Sequence, residues 1–84
     1  MEVRITIKAL KEIDKLPSAY AKKITKNLLD LESNPFPSNS KKLVGEKNYR
    51  IRIGIYRAIY TIDKGKKLVR VLRVKHRREV YRAE

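Results

Sequence analysis

Apolar and polar positions alternate at the start of the chain: Val3, Ile5 and Ile7 are separated by Arg4 and Thr6. A period of two sends alternate side chains to opposite faces, so a short half-buried strand is expected there. At Ala9 the period changes. Leu10, Ile13 and Leu16 recur at helical spacing, and Pro17, which has no backbone N–H, ends that helix. Ser18 is suited to cap the next one. From Ala19 to Glu32 the residues Tyr20, Ile24, Leu28 and Leu31 form an apolar stripe, with Lys22, Lys23 and Lys26 outside it. Two helices joined by so short a corner form a hairpin. SNPFPSNS, residues 33–40, holds two prolines among small polar residues and reads as a loop.

The period of two then returns. Tyr49, Ile51 and Ile53 alternate with Arg50 and Arg52, and Gly54 and Ile55 make a tight connection. In YRAIYTID the residues Tyr56, Ala58, Tyr60 and Ile62 share a face. DKGKK turns the chain again, and Leu68 to Val74 supplies a last strand. Strict alternation there would send Arg70 and Arg73 to opposite faces, which predicts a bulge or packing on both faces. The expected architecture is α+β in the order β-α-α-β-β-β, a helical hairpin packed on one face of an antiparallel sheet. Its 84 residues allow one domain, 1–84. The core must be small, because a chain this short buries only about 60–65% of its unfolded surface. There is no cysteine, and no stretch approaches the roughly 18 apolar residues of a membrane span. Both features suggest a soluble domain of a reducing cytoplasm.

Charge adds what the pattern does not. The chain carries 22 Lys and Arg against 9 Asp and Glu, a net of +13. Residues 1–40 hold seven basic and five acidic side chains, a net of +2, and residues 41–84 hold fifteen and four, a net of +11. Such a gradient is the footprint of a protein that meets a polyanion; a surface tuned only for solubility would intersperse the signs. If Tyr49, Ile51 and Ile53 face the helices, Arg50 and Arg52 face away, and Arg57 on the next strand joins them. A guanidinium presents a planar fork of donors suited to phosphate. As ordinary solvent-side charges on an edge strand, the same arginines would merely oppose aggregation.

VKHRREVY, residues 74–81, gathers His76, Arg77, Arg78 and Tyr81. A lone histidine is more often structural than catalytic, yet His76 is the side chain here suited to exchange a proton near neutrality. Tyr81 is either an apolar plug or a platform for an unpaired base. One histidine and scattered carboxylates offer no metal constellation.

KKLVGEKNYRIRIGIYRAIYTID followed by VRVLRVKHRREVY resembles the RelE family of toxins, within the RelE/ParE superfamily, and the likeness covers nearly the whole chain. The resemblance implies a cytoplasmic mRNA interferase that enters the ribosomal A site and cleaves mRNA there. Such an enzyme needs no cofactor or metal, because the substrate 2′-hydroxyl is the nucleophile. By motif, Arg50, Arg52 and Arg57 hold and stabilise the scissile phosphate, and Arg77 assists the leaving 5′-oxygen. Tyr81 stacks on a base, and His76 is a candidate base, since arginine stays protonated. Lys41, Lys42, Lys47, Arg78 and Arg82 are expected to bind RNA. The implied partners are a cognate RelB-like antitoxin protein, in a hetero-oligomer, together with the ribosome and mRNA. The sequence departs from the family pattern at Arg50 and Arg52, where some members have lysine, at Ile55 in the hairpin, and at Lys75, which replaces a usual glycine. Two alternatives stay open: a ParE-like gyrase inhibitor, and a basic RNA- or ribosome-binding module without catalysis.

Overall fold

The computed structural model describes residues 1–43, 45 and 47–76. The elements are β1 (Glu2–Ile5), α1 (Ile7–Asp14), α2 (Ser18–Leu29), a 3₁₀ turn (Asp30–Glu32), β2 (Ser40–Lys42), β3 (Tyr49–Ile53), β4 (Tyr56–Asp63) and β5 (Leu68–His76). The strands form one sheet in the order β1-β5-β4-β3-β2. β2 to β5 pair antiparallel, while β1 runs parallel to β5. The α+β class with a two-helix layer is as expected. The sheet is mixed rather than wholly antiparallel, and β2 is an added strand.

Local chemistry moves two boundaries. Thr6 Oγ1 accepts from the Ala9 N–H at 3.2 Å and donates to the Leu72 carbonyl at 3.1 Å. This cap starts α1 at Ile7, which is therefore not in the strand and is 73% exposed. Ser18 is the first residue of α2 rather than its cap, the cap position falling on Pro17. Ala9 and Ile13 of α1 and Ile24 and Leu28 of α2 enter the core, against Ile51, Ala58, Tyr60, Val69 and Val71 of one sheet face. Leu10 lies off that stripe and is 45% exposed.

Two strand irregularities shape the sheet around its basic residues. In the β3–β4 hairpin Ile53 pairs with Tyr56, leaving Gly54 at φ +61 and Ile55 as the turn. Glycine first with a left-handed φ matches the twist of the flanking strands. In β5, Ile59 faces Arg73 but Tyr60 faces Val71, so Leu72 is the extra residue of the expected bulge. Beyond the end of β1, α1 takes over the free edge of β5. The Thr6 N–H donates to the Val71 carbonyl at 3.0 Å, and the Val74 N–H donates to Glu12 Oε1 at 2.9 Å. Arg73 forks onto the same carboxylate at 2.9 to 3.2 Å. Burial pushes the Glu12 carboxyl up, but the bonds from Arg73 and Val74 and the charges of Arg73 and Lys75 outweigh it and hold the pKa below the usual value.

Candidate nucleic-acid interface

Directly opposed residues of antiparallel strands share a sheet face. Arg50 and Arg52 of β3 alternate with the core residues Ile51 and Ile53, so both lie on the face away from the helices. Arg52 is the register partner of Arg57, and Arg57 is the partner of Lys75. Lys41 of β2 is the partner of Arg50. Arg52, Arg57 and Lys75 thus stand side by side on three strands, with Lys41 and Arg50 beside them. The acidic residues of this face among those described, Glu2 and Asp63, lie at the other end, both level with Leu68.

Like charges directly opposed across strands destabilise a sheet. Arg57 is also buried, with 3% of its surface exposed. Its Nη1 donates to the Tyr56 carbonyl at a long 3.4 Å, and among the described residues no carboxylate pairs with it. A recess of about 250 Å³ opens here, lined by Ser38, Asn39, Ser40, Lys41, Arg50, Arg52 and Arg57. Four cations converge on a space suited to a phosphate, walled by small polar side chains.

The loop before β2 supplies that wall and is fastened from both sides. Asn39 Nδ2 donates to the Arg52 carbonyl at 2.7 Å, and the Arg52 N–H donates to the Asn39 carbonyl at 3.0 Å. The Ser40 N–H and Oγ both donate to the Pro37 carbonyl, at 2.9 and 2.7 Å. Beneath them the buried Tyr60 hydroxyl donates to the Pro35 carbonyl at 2.8 Å. Its ring stacks on Tyr49, which meets Phe36 edge-on. Burial pushes the Tyr60 pKa up, the nearby Ser40 hydroxyl opposes this and Tyr49 adds to it, so the hydroxyl remains a proton donor.

The structure brings together Arg50, Arg52, Arg57 and Lys41, and it separates others expected beside them. His76 pairs with Tyr56, not with Arg57, and therefore lies on the helix side. There it meets the Tyr56 ring edge-on at 5.7 Å and lines a cleft with Glu12, Lys15, Leu16 and Val74. Adjacency to the arginines in sequence is undone by the parity of the strand. Lys42 pairs with Tyr49 and so falls on the helix-side set. Lys47 lines a different recess, with Asp63, Lys64 and Arg70. Arg77, Arg78, Tyr81 and Arg82 lie outside the described residues. Sequence reasoning missed Ser38, Asn39 and Ser40 as walls. It also treated Lys75 only as a departure, although counting by twos from Val74 places it with Arg57.

Residues 3–81 match the family described as ParE toxin of type II toxin–antitoxin system, parDE. Solved structures are similar along most of the chain. A chain of the toxin–antitoxin complex RelBE2 of Mycobacterium tuberculosis is 33% identical with a TM-score of 0.81, covering 90% of this chain and 96% of that one. A chain of the archaeal RelE–RelB complex of Pyrococcus horikoshii OT3 is 30% identical with a TM-score of 0.81, covering 90% and 93%. A mutant of the E. coli toxin RelE in the free state is 30% identical with a TM-score of 0.76, covering 96% and 90%. Among curated proteins no significant match is found.

Proposed function

Because the chain belongs to the ParE toxin family of type II toxin–antitoxin systems, within the RelE/ParE superfamily, we propose that it is a ribosome-dependent mRNA endonuclease. It cleaves the codon in the ribosomal A site and stops translation. One observation carries this reading: Arg52 opposite a buried Arg57 that lacks a carboxylate partner among the described residues, at the mouth of a recess shared with Arg50 and Lys41. Local stability alone gives no reason for this cluster, whereas an incoming phosphodiester resolves it.

The reaction uses the substrate's own nucleophile. The 2′-oxygen attacks the adjacent phosphorus and the bond to the 5′-oxygen breaks. A 2′,3′-cyclic phosphate and a 5′-hydroxyl result, the proton lost at one oxygen being balanced by that gained at the other. Extra negative charge builds on the phosphoryl oxygens during attack. Donors fixed beforehand around that charge are worth about 10²–10³ in rate apiece. Arg50, Arg52 and Arg57 play this part, being permanently protonated clamps rather than bases. By motif, Arg77 serves the leaving 5′-oxygen and Tyr81 stacks on a base. His76 is left out of the reacting set because it belongs to the other face of the sheet. The partner that silences the toxin is a RelB-like antitoxin, since the similar solved structures include RelE–RelB complexes.

Primer extension on mRNA held by programmed ribosomes tests the reading, with free RNA and EDTA-containing reactions as controls. A new 5′ end inside the A-site codon is expected, blocked by a 2′-O-methyl group at the scissile nucleotide. Absence of cleavage by folded protein removes the nuclease. The match to a family described as ParE toxin keeps a second reading in play, a ParE-like inhibition of DNA gyrase. Loss of gyrase supercoiling without any RNA cleavage would select it.

A further inference from the structure

The row of opposed cations does not end at Arg57. Lys75 continues it on β5, and strand spacing of about 4.8 Å places the Arg52 and Lys75 backbones about 10 Å apart. Lys75 is not among the residues that line the recess of Lys41, Arg50, Arg52 and Arg57. Its position is nonetheless fixed. Val74 is buried in the core and His76 lines the helix-side cleft, so moving Lys75 off this face requires a register slip. The carboxylate near it, Glu12, is occupied by the Arg73 fork and the Val74 N–H. Among the described residues Lys75 forms no ion pair. A half-buried lysine thus stands in register with the buried Arg57, outside the first anion pocket and on the same face.

We propose that Lys75 binds the phosphate adjoining the one in the recess, so that β3, β4 and β5 together form a two-phosphate clamp. This rests on reading the face as an RNA platform and adds to it a substrate requirement: the site engages consecutive phosphodiesters. A polar β-branched residue would suit this strand position without repulsion from Arg57. Lys75 helps to keep Glu12 ionised, and a bound phosphate would offset its repulsion from Arg57 as well.

The test compares two uncleavable 2′-O-methyl probes, a dinucleotide with one phosphodiester and a trinucleotide with two, titrated at several salt concentrations and followed by NMR. Lys75→Gln is expected to weaken trinucleotide binding by about fivefold and flatten its log–log salt slope by about 0.7, the value of one phosphate contact on a single strand. Dinucleotide binding stays as in the wild type. Arg52→Gln weakens both probes. Unchanged trinucleotide affinity and slope in Lys75→Gln overturn the proposal. Equal weakening of both probes also overturns it, because Lys75 then shares the first phosphate. If Arg52→Gln affects neither probe, or the wild type binds neither, the platform itself fails and the clamp with it. Melting curves check that each variant is folded.

Discussion

Arg57 sits where a folded chain gains least from a positive charge: 3% exposed, with Arg52 on one side and Lys75 on the other. Replacing a buried ion pair by apolar side chains of similar volume is often neutral or stabilising by about 1–4 kcal/mol, and a buried charge with like charges on both sides has less attraction still to lose. Arg57→Met is therefore expected to raise stability by about 1–2 kcal/mol in denaturant melts while cleavage falls by about 10²-fold or more. A destabilised Arg57→Met would mean that the guanidinium is held for the fold. The alternation of YRIRI and YRAIY made Arg50, Arg52 and Arg57 legible as one face. The burial of Arg57 was not legible, because its surroundings include Ser38 to Ser40, distant in sequence and brought back by the loop. The face on which His76 lies was not legible for a related reason. Neighbours in sequence along a strand point apart, and the residue that joins the arginines is Lys75.

The elements that hold this face depend on a few side chains replacing missing ladder partners. Glu12 does so for β5, and its lowered pKa gives the sign of a pH effect. A carboxylate depressed in the folded state contributes its full stability above the ordinary glutamate pKa and loses it as pH falls through the folded value. Stability should hold from neutrality to about pH 5 and then decline, with part of that decline due to Glu12. In Glu12→Gln the neutral-pH stability should drop by about 1–3 kcal/mol, since the Arg73 fork loses the charge of its carboxylate, and the acid-side decline should become shallower. Denaturant midpoints from pH 7 to 3 measure both; parallel curves for the two proteins would refute the linkage. Tyr60 is the corresponding anchor for the loop. Tyr60→Phe leaves the Pro35 carbonyl without its donor and is expected to cost about 1 kcal/mol. Oligoribonucleotide affinity should fall with it, because the Ser38–Ser40 wall is tied to that anchor. Unaltered affinity would show the wall to be independent. β3 and β4 were legible because their periods run cleanly over five or more residues, and β5 because its apolar run is long and breaks step only at the bulge. β2 was not, being three residues with no apolar member, and neither was the parallel pairing of β1, whose partner β5 lies at the far end of the chain.

Across the whole molecule the charge gradient acquires a direction. Residues 1–40, which include both helices, carry a net of +2, and residues 41–84, which form four of the five strands, carry +11. The helices cover one face of the sheet, so the cations of β2 to β5 that alternate with core residues project from the other. A polyanion is therefore drawn to the face holding the recess, not merely to a basic particle. This makes salt dependence face-specific. Each phosphate neutralised on a single strand contributes about −0.7 to the log–log salt slope, so one phosphate in the recess and a second at Lys75 predict a slope of about −1.4. Substituting Lys41, Arg50, Arg52 and Arg57 by glutamine should flatten it by about half. Substituting Lys22, Lys23 and Lys26 of α2 should leave it almost unchanged, although the net charge falls by a comparable amount. Fluorescence titrations of a single-stranded RNA between about 50 and 200 mM salt separate the two cases. Equal flattening by both sets would mean that binding follows net charge alone, and the arrangement of the sheet face would then explain nothing about how RNA is held.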